Sequence, residues 1–114
     1  MRIYVAGPYT KGGVAVNVRN AILAGEALVQ KGHTPFIPHL THLWHIVIPH
    51  DVQFWYDYDM HWLKECDALL RIPGESIGAD KEEAFALLHR FTVYHHIDEV
   101  PQKTITEVKG GRDD

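Results

Sequence analysis

Short runs rich in β-branched and other apolar residues alternate along the chain with longer segments whose apolar residues recur every three or four positions. The short runs predict four strands, at residues 2–6, 33–38, 68–72 and 92–96. The longer segments predict helices at 14–30, 52–66 and 79–90, with a short last helix at 100–108. Alternating strands and helices imply right-handed crossovers and a parallel sheet. We therefore expect an α/β fold with one small doubly wound sheet, Rossmann- or flavodoxin-like, and a strand order near 2-1-3-4.

Length and composition fit one compact domain. The chain has 114 residues, of which 46% are hydrophobic and 23% are charged, as in ordinary globular proteins. We expect the domain to span residues 1–109. Residues 110–114 (GGRDD) are polar and terminal, so they are expected to form a flexible tail.

The charge and the cysteine content of the chain limit its possible binding partners and its cellular compartment. The formal net charge is −4 without a basic block, which argues against a nucleic-acid partner. The apolar run before Gly7 and Pro8 is far too short for a signal peptide or a membrane span. Cys66 is the single cysteine, so an internal disulfide is impossible, as is typical of a reducing compartment. The expectation is a soluble cytoplasmic domain.

A carboxylate interrupts the apolar stripe of the predicted helix at 52–66. The stripe contains Trp55, Trp62, Leu63 and Cys66, and Asp59 occupies the position one turn after Trp55. An inward-facing carboxylate costs several kcal/mol unless it is hydrogen-bonded, paired or facing a polar cavity. Asp59 therefore either caps a neighbouring loop or lines a ligand pocket.

A second acidic cluster opens the predicted helix at 79–90. Asp80 and Glu83 have the spacing of a capping pair, which gives Glu83 a structural explanation. The expected apolar stripe of this helix is formed by Ala84, Leu87, Leu88 and Phe91. Glu82 points elsewhere, to the side shared with Ala79 and Ala86. It is then either a solvated first-turn glutamate, which the helix dipole favours, or a functional carboxylate.

The carboxyl ends of the strands are the expected ligand site, because doubly wound sheets bind ligands where the strand order reverses. The loop at 7–13 joins a strand to a helix N-terminus and contains three glycines, so its backbone N–H groups can approach an anion. It matches neither GxGxxG nor a Walker loop, and it is therefore either a plain turn or an anion site of unspecified type.

Asp59 and Glu82 come from elements that flank the third strand, so they are expected to converge at this edge. Glycosidic chemistry uses such a pair of carboxylates. One attacks the anomeric carbon, and the other donates a proton to the leaving group.

Four histidines lie in the long predicted loop at 39–51, namely His39, His42, His45 and His50. Their spacing lacks HExxH, and no cysteine accompanies them, so a metal site is the weaker interpretation. The stronger one is that they line a polar pocket or a subunit contact. Neither a metal nor a cofactor is expected.

Three segments occur in order over residues 1–96: IYVAGPYTKGG, DMHWLKECDALL and SIGADKEEAFAL. Together they resemble the nucleoside 2-deoxyribosyltransferase superfamily, above all its small bacterial and phage members and the deoxynucleoside 5'-monophosphate N-glycosidases. The resemblance implies an enzyme that cleaves the N-glycosidic bond of a 2'-deoxynucleoside through a glutamyl-deoxyribose intermediate. The sugar is then transferred to another nucleobase.

The resemblance also implies roles for individual residues. Glu82 matches the glutamate that attacks C1' of the deoxyribose, and Tyr4 matches a tyrosine near that nucleophile. Asp59 matches the acidic residue that orients the sugar or serves in proton transfer to the leaving base. The positions expected to bind the nucleoside or nucleotide are Gly7, Tyr9, Thr10 and Lys11 in the first loop, and Ser76 and Gly78 before the last long helix.

Departures from the family pattern leave three functions open. The N-glycosidases use an arginine in the first loop, where this chain has Lys11. Transferases usually complete each active site with C-terminal residues of a neighbouring subunit, and this sequence shows no evident equivalent of those residues. The alternatives to a transferase are a deoxynucleoside 5'-monophosphate N-glycosidase, which is a hydrolase, and a nucleotide-sensing module without turnover. Because the related enzymes are oligomers and residues 43–48 are strongly apolar, at least a homodimer is expected.

Overall fold

The computed structural model describes residues 1–103, which form a four-stranded parallel sheet covered by helices. The strands are β1 (Arg2–Ala6), β2 (Thr34–Phe36), β3 (Ala68–Arg71) and β4 (Thr92–Tyr94). Their order is β2-β1-β3-β4, and every neighbouring pair is parallel. The predicted α/β class and strand order are therefore confirmed. Pro35 lies in the edge strand β2, as expected for a residue without a backbone N–H.

Four α-helices connect or flank the described strands. They are α1 (Val14–Gln30), α2 (His42–Val47), α3 (Val52–Leu63) and α4 (Ile77–Leu88), with 3-10 turns at Pro38–Thr41 and Ile97–Glu99. Helix α1 has the predicted bounds and ends before Gly32, whose φ of 87° suits a glycine after a helix. None of the helices in residues 1–103 combines the length and the apolar composition that crossing a bilayer requires.

Two predicted segments differ from the structure in type, whereas the other predicted strands and helices differ from it at most at their ends. Residues 39–51 were expected to form a loop, but most of them form a 3-10 turn and α2, beginning at Pro38, whose fixed φ suits a first helical position. The predicted helix at 100–108 is absent from residues 100–103. Val100 is extended, because a residue before proline avoids the helical region, and Pro101 follows it. The rest of that prediction and the predicted tail at 110–114 lie outside the described residues.

The core has two layers, one on each face of the sheet. Alternation along β1 directs Ile3 and Val5 toward α1, whereas Tyr4 and Ala6 face the side covered by α3 and α4. Tyr4 has no exposed surface and packs in the same cluster as Leu63 of α3 and Ala79 of α4. The central strand therefore carries a buried phenol to the face on which the acidic helices lie.

The predicted apolar stripe of α4 is wrong. Leu87 and Leu88 are 57% and 79% exposed, and the buried face of the helix consists of Ala79, Glu82 and Ala86. Two alanines allow α4 to pack closely on the sheet, and they bring the glutamate between them inward. The stripe of α3 is only partly buried, since Leu63 is fully buried while Trp62 is 48% exposed.

Candidate active site

A cavity of about 530 Å³ lies where β1 and β3 end and α4 begins. It is walled by the loop after β1, by the segment from Pro38 through α2, and by the facing sides of α3 and α4. The predicted site residues among its lining are Gly7, Tyr9, Thr10, Asp59, Ser76, Gly78 and Glu82. The structure thus brings together residues from four separate parts of the chain at the predicted edge of the sheet.

Glu82 lines this cavity and is itself buried. The residue is 8% exposed, and its Oε2 accepts a hydrogen bond from the hydroxyl of Tyr4. Burial raises the pKa of Glu82 to about 7, although the Tyr4 hydrogen bond and the Arg71 charge oppose that rise. The interpretation of Glu82 as a solvated first-turn residue is therefore wrong. Burial and the nearby carboxylates raise the pKa of Tyr4 well above its usual value, so the phenol remains a donor.

Asp59 faces the same cavity from α3. Its Oδ1 is buried and has no hydrogen-bond partner in residues 1–103. Burial raises the pKa of Asp59 to about 8, and the charge of Glu82 adds to the increase. The capping carboxylate in this region is instead Asp51, which accepts a hydrogen bond from the backbone N–H of Phe54 at 2.8 Å. Asp59 is thus a cavity-facing acid whose burial favours the protonated form.

Asp59 and Glu82 form an asymmetric pair of carboxyl groups. Burial raises the pKa of Asp59 to about 8 and that of Glu82 to about 7, so Asp59 is the member of the pair that holds a proton more firmly near neutral pH. Adjacent carboxyl groups whose environments separate their pKa values are suited to different tasks, one as proton donor and the other as base or nucleophile. The arrangement supplies both groups that the cleavage of a glycosidic bond requires.

The loop after β1 is fixed in place on one side of the cavity. Asn17 Nδ2 donates hydrogen bonds to the carbonyl oxygens of Tyr9 and Lys11, at 2.9 and 2.7 Å. A Cβ at Gly7 would lie 3.0 Å from the Cβ of Ile72, so this position requires glycine for close approach to the end of β3. The hydroxyl of Tyr9 is hydrogen-bonded to Nδ1 of His42.

Lys11 is the predicted binding residue that the structure places away from the cavity lining. Its Nζ lies 2.7 Å from Oε1 of Glu75, and both side chains are largely exposed. Tyr4 is also outside the cavity lining, but its hydroxyl donates a hydrogen bond to Glu82, which lines the cavity.

The N-terminus of α4 opens into the cavity. Ser76 is its N-cap, because Oγ accepts a hydrogen bond from the backbone N–H of Ala79 at 3.1 Å. Apart from its chain neighbours and the backbone of its own helix, no heavy atom of the described residues lies within 4 Å of a Cβ placed on Gly78, so a ligand can approach the backbone there. The predicted capping pair of Asp80 and Glu83 is wrong.

Asp80 and Glu83 instead bind Arg71, at the end of β3. The guanidinium is 2.8 Å from Asp80 Oδ1 and 3.6 Å from Glu83 Oε1, and it also donates to the Gly74 carbonyl oxygen at 2.9 Å. Arg71 thereby ties the turn after β3 to the first turns of α4. This arrangement fixes the helix that carries Glu82.

Three of the four histidines line the cavity, namely His39, His45 and His50. His39 is 4% exposed and its Nε2 is bonded to the Pro8 carbonyl oxygen at 2.8 Å, which leaves Nδ1 as a buried acceptor without a partner in residues 1–103. Burial lowers the pKa of His39, so its imidazole is neutral. No group of three or more His, Cys, Asp or Glu side chains in the described part of the chain is placed to hold a metal ion.

Trp55 and Tyr56 belong to the lining but were not predicted as site residues. The sequence pattern places Trp55 in the apolar stripe of this helix. The available signal was its position one turn before Asp59 on the same side of α3, which places it beside any ligand that Asp59 contacts. Tyr56 lies under the Nζ of Lys81, which is 5.6 Å from the ring centroid.

Comparison with solved structures shows the same fold in a 2-deoxyribosyltransferase from the psychrotolerant bacterium Bacillus psychrosaccharolyticus. The TM-score is 0.62 and the sequence identity is 20%, and the match covers 82% of this chain and 69% of that chain. That enzyme is described as a biocatalyst for the synthesis of antiviral and antitumoral nucleosides. No protein-family model matches the sequence, and no curated protein matches it at a significant level. At 20% sequence identity, this structural similarity establishes a shared fold.

Proposed function

We propose that this protein is a 2-deoxyribosyltransferase-like enzyme that cleaves the N-glycosidic bond of 2'-deoxynucleosides and transfers the sugar to another nucleobase. The observation that carries the proposal is the convergence of Glu82 and Asp59 on one cavity, where burial raises the pKa of both. A binding module has no need for two protonatable carboxyl groups in a largely apolar cavity. The shared fold with a 2-deoxyribosyltransferase supports the same reading.

In the first step, ionised Glu82 attacks C1' of the deoxyribose. The bond from C1' to the base nitrogen breaks, its electron pair moves to the base, and protonated Asp59 delivers a proton there. The products are a glutamyl-deoxyribose ester, a free base and the Asp59 carboxylate.

In the second step, an acceptor base attacks C1' through a ring nitrogen and displaces the Glu82 carboxylate. The proton lost from that nitrogen returns to Asp59, which restores the starting state of both groups. If water replaces the acceptor base, the same steps hydrolyse the substrate.

Tyr4 has a positioning role in this scheme. Its hydroxyl donates a hydrogen bond to Oε2 of Glu82, which leaves Oε1 free of that bond and available to attack C1'. The hydrogen bond also favours the ionised carboxylate, which counteracts the effect of burial on the pKa of Glu82.

A 5'-monophosphate N-glycosidase is the second candidate, and one observation favours it. The N-terminus of α4 faces the cavity at Ser76 and Gly78, and a helix N-terminus with an unobstructed glycine suits a phosphate. Lys11, in contrast, would have to leave Glu75 to reach such a phosphate.

Incubation with a panel of 2'-deoxynucleosides and their 5'-monophosphates, with and without a free acceptor base, tests the proposal. Chromatography of the products should show base exchange that depends on the acceptor. Base release without an acceptor would assign a hydrolase, and preference for monophosphates would assign the N-glycosidase. Binding without any released base would leave the nucleotide-sensing module as the function. The Glu82→Gln variant, purified in parallel, controls for contaminating activity.

A further inference from the structure

One wall of the cavity carries a hydrogen-bonded unit that the reaction steps do not use. It consists of His45 in α2, Trp55 in α3 and the backbone N–H of His50 in the connection between these helices. The Nδ1 of His45 accepts hydrogen bonds from Trp55 Nε1 at 2.8 Å and from the N–H of His50 at 3.2 Å. All three residues line the cavity.

These two contacts determine the tautomer of His45. The indole Nε1 and a backbone nitrogen can only donate, so Nδ1 must present its lone pair to both of them. The ring proton of the neutral imidazole is therefore on Nε2. The hydrogen bonds among residues 1–103 leave this N–H without a partner, so the His45 ring, which lines the cavity, has a free donor and no free acceptor.

The rings around this unit hold it in one orientation. Trp55 lies edge-to-face against Trp44, with ring centroids 5.1 Å apart, and against His50 at 5.4 Å. His50 itself stacks on Phe54 at 3.7 Å. Since each ring is restrained by its neighbours, the His45 donor is preorganised rather than free to turn.

The position of the unit relative to Asp59 indicates which part of a substrate it meets. Trp55 precedes Asp59 by one helical turn on the same side of α3. In the proposed reaction Asp59 gives its proton to the leaving base, so the base lies beside Asp59. The indole of Trp55 and the ring of His45, which line the same cavity, are then next to that base.

We propose that His45 is a specificity-determining residue that donates a hydrogen bond from Nε2 to an exocyclic carbonyl oxygen of the nucleobase, while Trp55 packs against the base ring. This inference rests on the proposed function, since it takes Asp59 as the neighbour of the leaving base. The chemical class favoured is the oxo-substituted base. A base that presents an amino group or a C–H at the same edge leaves the His45 donor without a partner.

Matched substrate pairs that differ by one carbonyl oxygen provide the test. The pairs are 2'-deoxyinosine against purine 2'-deoxyriboside, and 2'-deoxyuridine against 2-pyrimidinone 2'-deoxyriboside. Because the leaving groups differ in intrinsic reactivity, the informative quantity is the change in the ratio of kcat/KM values between wild type and His45→Phe. The preference for the oxo-substituted base is the kcat/KM of the pair member that carries the carbonyl oxygen divided by that of the member that lacks it. In at least one pair, His45→Phe should lower this preference by about tenfold, the effect of one lost hydrogen bond.

Two further variants separate recognition from folding. His45→Gln retains an N–H donor and should restore part of the preference. Trp55→Phe keeps a ring but removes the donor that fixes Nδ1, so it should reduce the preference by a smaller factor. Equal losses for both members of each pair in all three variants would overturn the inference, since a structural defect does not distinguish the substrates.

Binding of the free bases hypoxanthine and purine, measured by titration calorimetry on wild type and His45→Phe, distinguishes this inference from the proposed function. A His45-dependent preference for hypoxanthine without any turnover would retain the base site and refute the enzyme. Turnover with an unchanged ratio in His45→Phe would retain the enzyme and refute the base site. The absence of both would refute both.

Discussion

The hydroxyl of Tyr4, in the central strand β1, donates a hydrogen bond to Oε2 of Glu82 in helix α4, although 78 positions separate the two residues along the chain. The contact joins the rigid middle of the sheet to the carboxylate that we propose as the nucleophile. Tyr4 is fully buried and stacks on Phe36 with ring centroids 5.6 Å apart, so the phenol has little freedom to move. Glu82 is consequently held by the core of the protein itself.

Replacement of Tyr4 by phenylalanine should separate positioning from packing. Tyr4→Phe keeps the ring but removes the hydrogen bond, which lowers the pKa of Glu82 in the wild type. We expect kcat/KM to fall about tenfold and the acidic limb of its pH profile to move to higher pH. An unchanged acidic limb in stopped or continuous assays across the pH range would contradict this role.

Glu82→Gln should abolish base release while the protein remains folded. Glutamine cannot form the sugar ester, and its amide oxygen still accepts the Tyr4 hydrogen bond, so we expect a loss of at least about 1,000-fold in kcat. Chromatographic detection of the free base measures the loss, and circular dichroism checks the fold.

Glu83→Ala is the matched control for the nucleophile. Glu83 lies on the same helix but pairs with Arg71 and with His95, at 3.6 and 3.3 Å, outside the cavity lining. This change should lower stability modestly and leave the rate within a few-fold of wild type. If Glu82→Gln retained as much activity as Glu83→Ala, the covalent mechanism would be refuted.

The pH dependence of kcat/KM should be bell-shaped with a narrow maximum. Activity rises as Glu82 ionises, with a pKa of about 7, and falls as Asp59 loses its proton, with a pKa of about 8. Because the two groups interact, the two limbs report values that belong to the pair. A profile that stays flat between about pH 6 and about pH 9 would contradict the assignment of these groups.

Asp59→Asn should change both the rate and the pH dependence of stability. The pKa of Asp59 is raised from its ordinary value of 3.8 to about 8 in the folded protein, so between these values the folded state binds more protons than the unfolded state. Stability from this group is therefore present at low pH and lost as the pH rises toward about 8.

Thermal melts of wild type and Asp59→Asn at a series of pH values measure this effect. The melting temperature of the variant should rise relative to that of the wild type as the pH is raised, and the difference between the two should become constant above about pH 8. The rate should fall strongly at every pH. A variant with a lower melting temperature and a nearly intact rate per folded molecule would show that Asp59 is a structural residue.

The apolar surface of α2 should mediate self-association. Leu43, Ile46 and Val47 are 72%, 60% and 77% exposed, and a contiguous apolar surface of this kind commonly marks a subunit interface. We expect at least a dimer in light scattering at micromolar concentration. Val47→Asp should dissociate it, whereas Leu88→Asp, at an equally exposed leucine on α4, should not. A monomeric wild type would refute the prediction.

Much of the fold was determined by the sequence, because the relevant signals are local. The apolar runs and the glycines and prolines that end them set the four strands, and Pro35 marked the edge strand. The unusual position of Asp59 was visible as a carboxylate within an apolar periodicity. Glu82 was identified because its surrounding motif resembles that of the 2-deoxyribosyltransferase superfamily. Its position in the helix alone was equally compatible with a solvated glutamate.

The tertiary structure decided what depends on residues distant in sequence. The buried face of α4 consists of Ala79, Glu82 and Ala86, because small side chains allow the helix to approach the sheet. The periodicity of apolar residues instead favours the larger leucines, so it cannot predict this face. Likewise, the partners of Lys11 and Arg71 and the tautomer of His45 follow from which groups the fold places opposite them. The raised pKa values of Asp59 and Glu82 have the same origin, because burial is a property of the assembled cavity and not of the residues that line it.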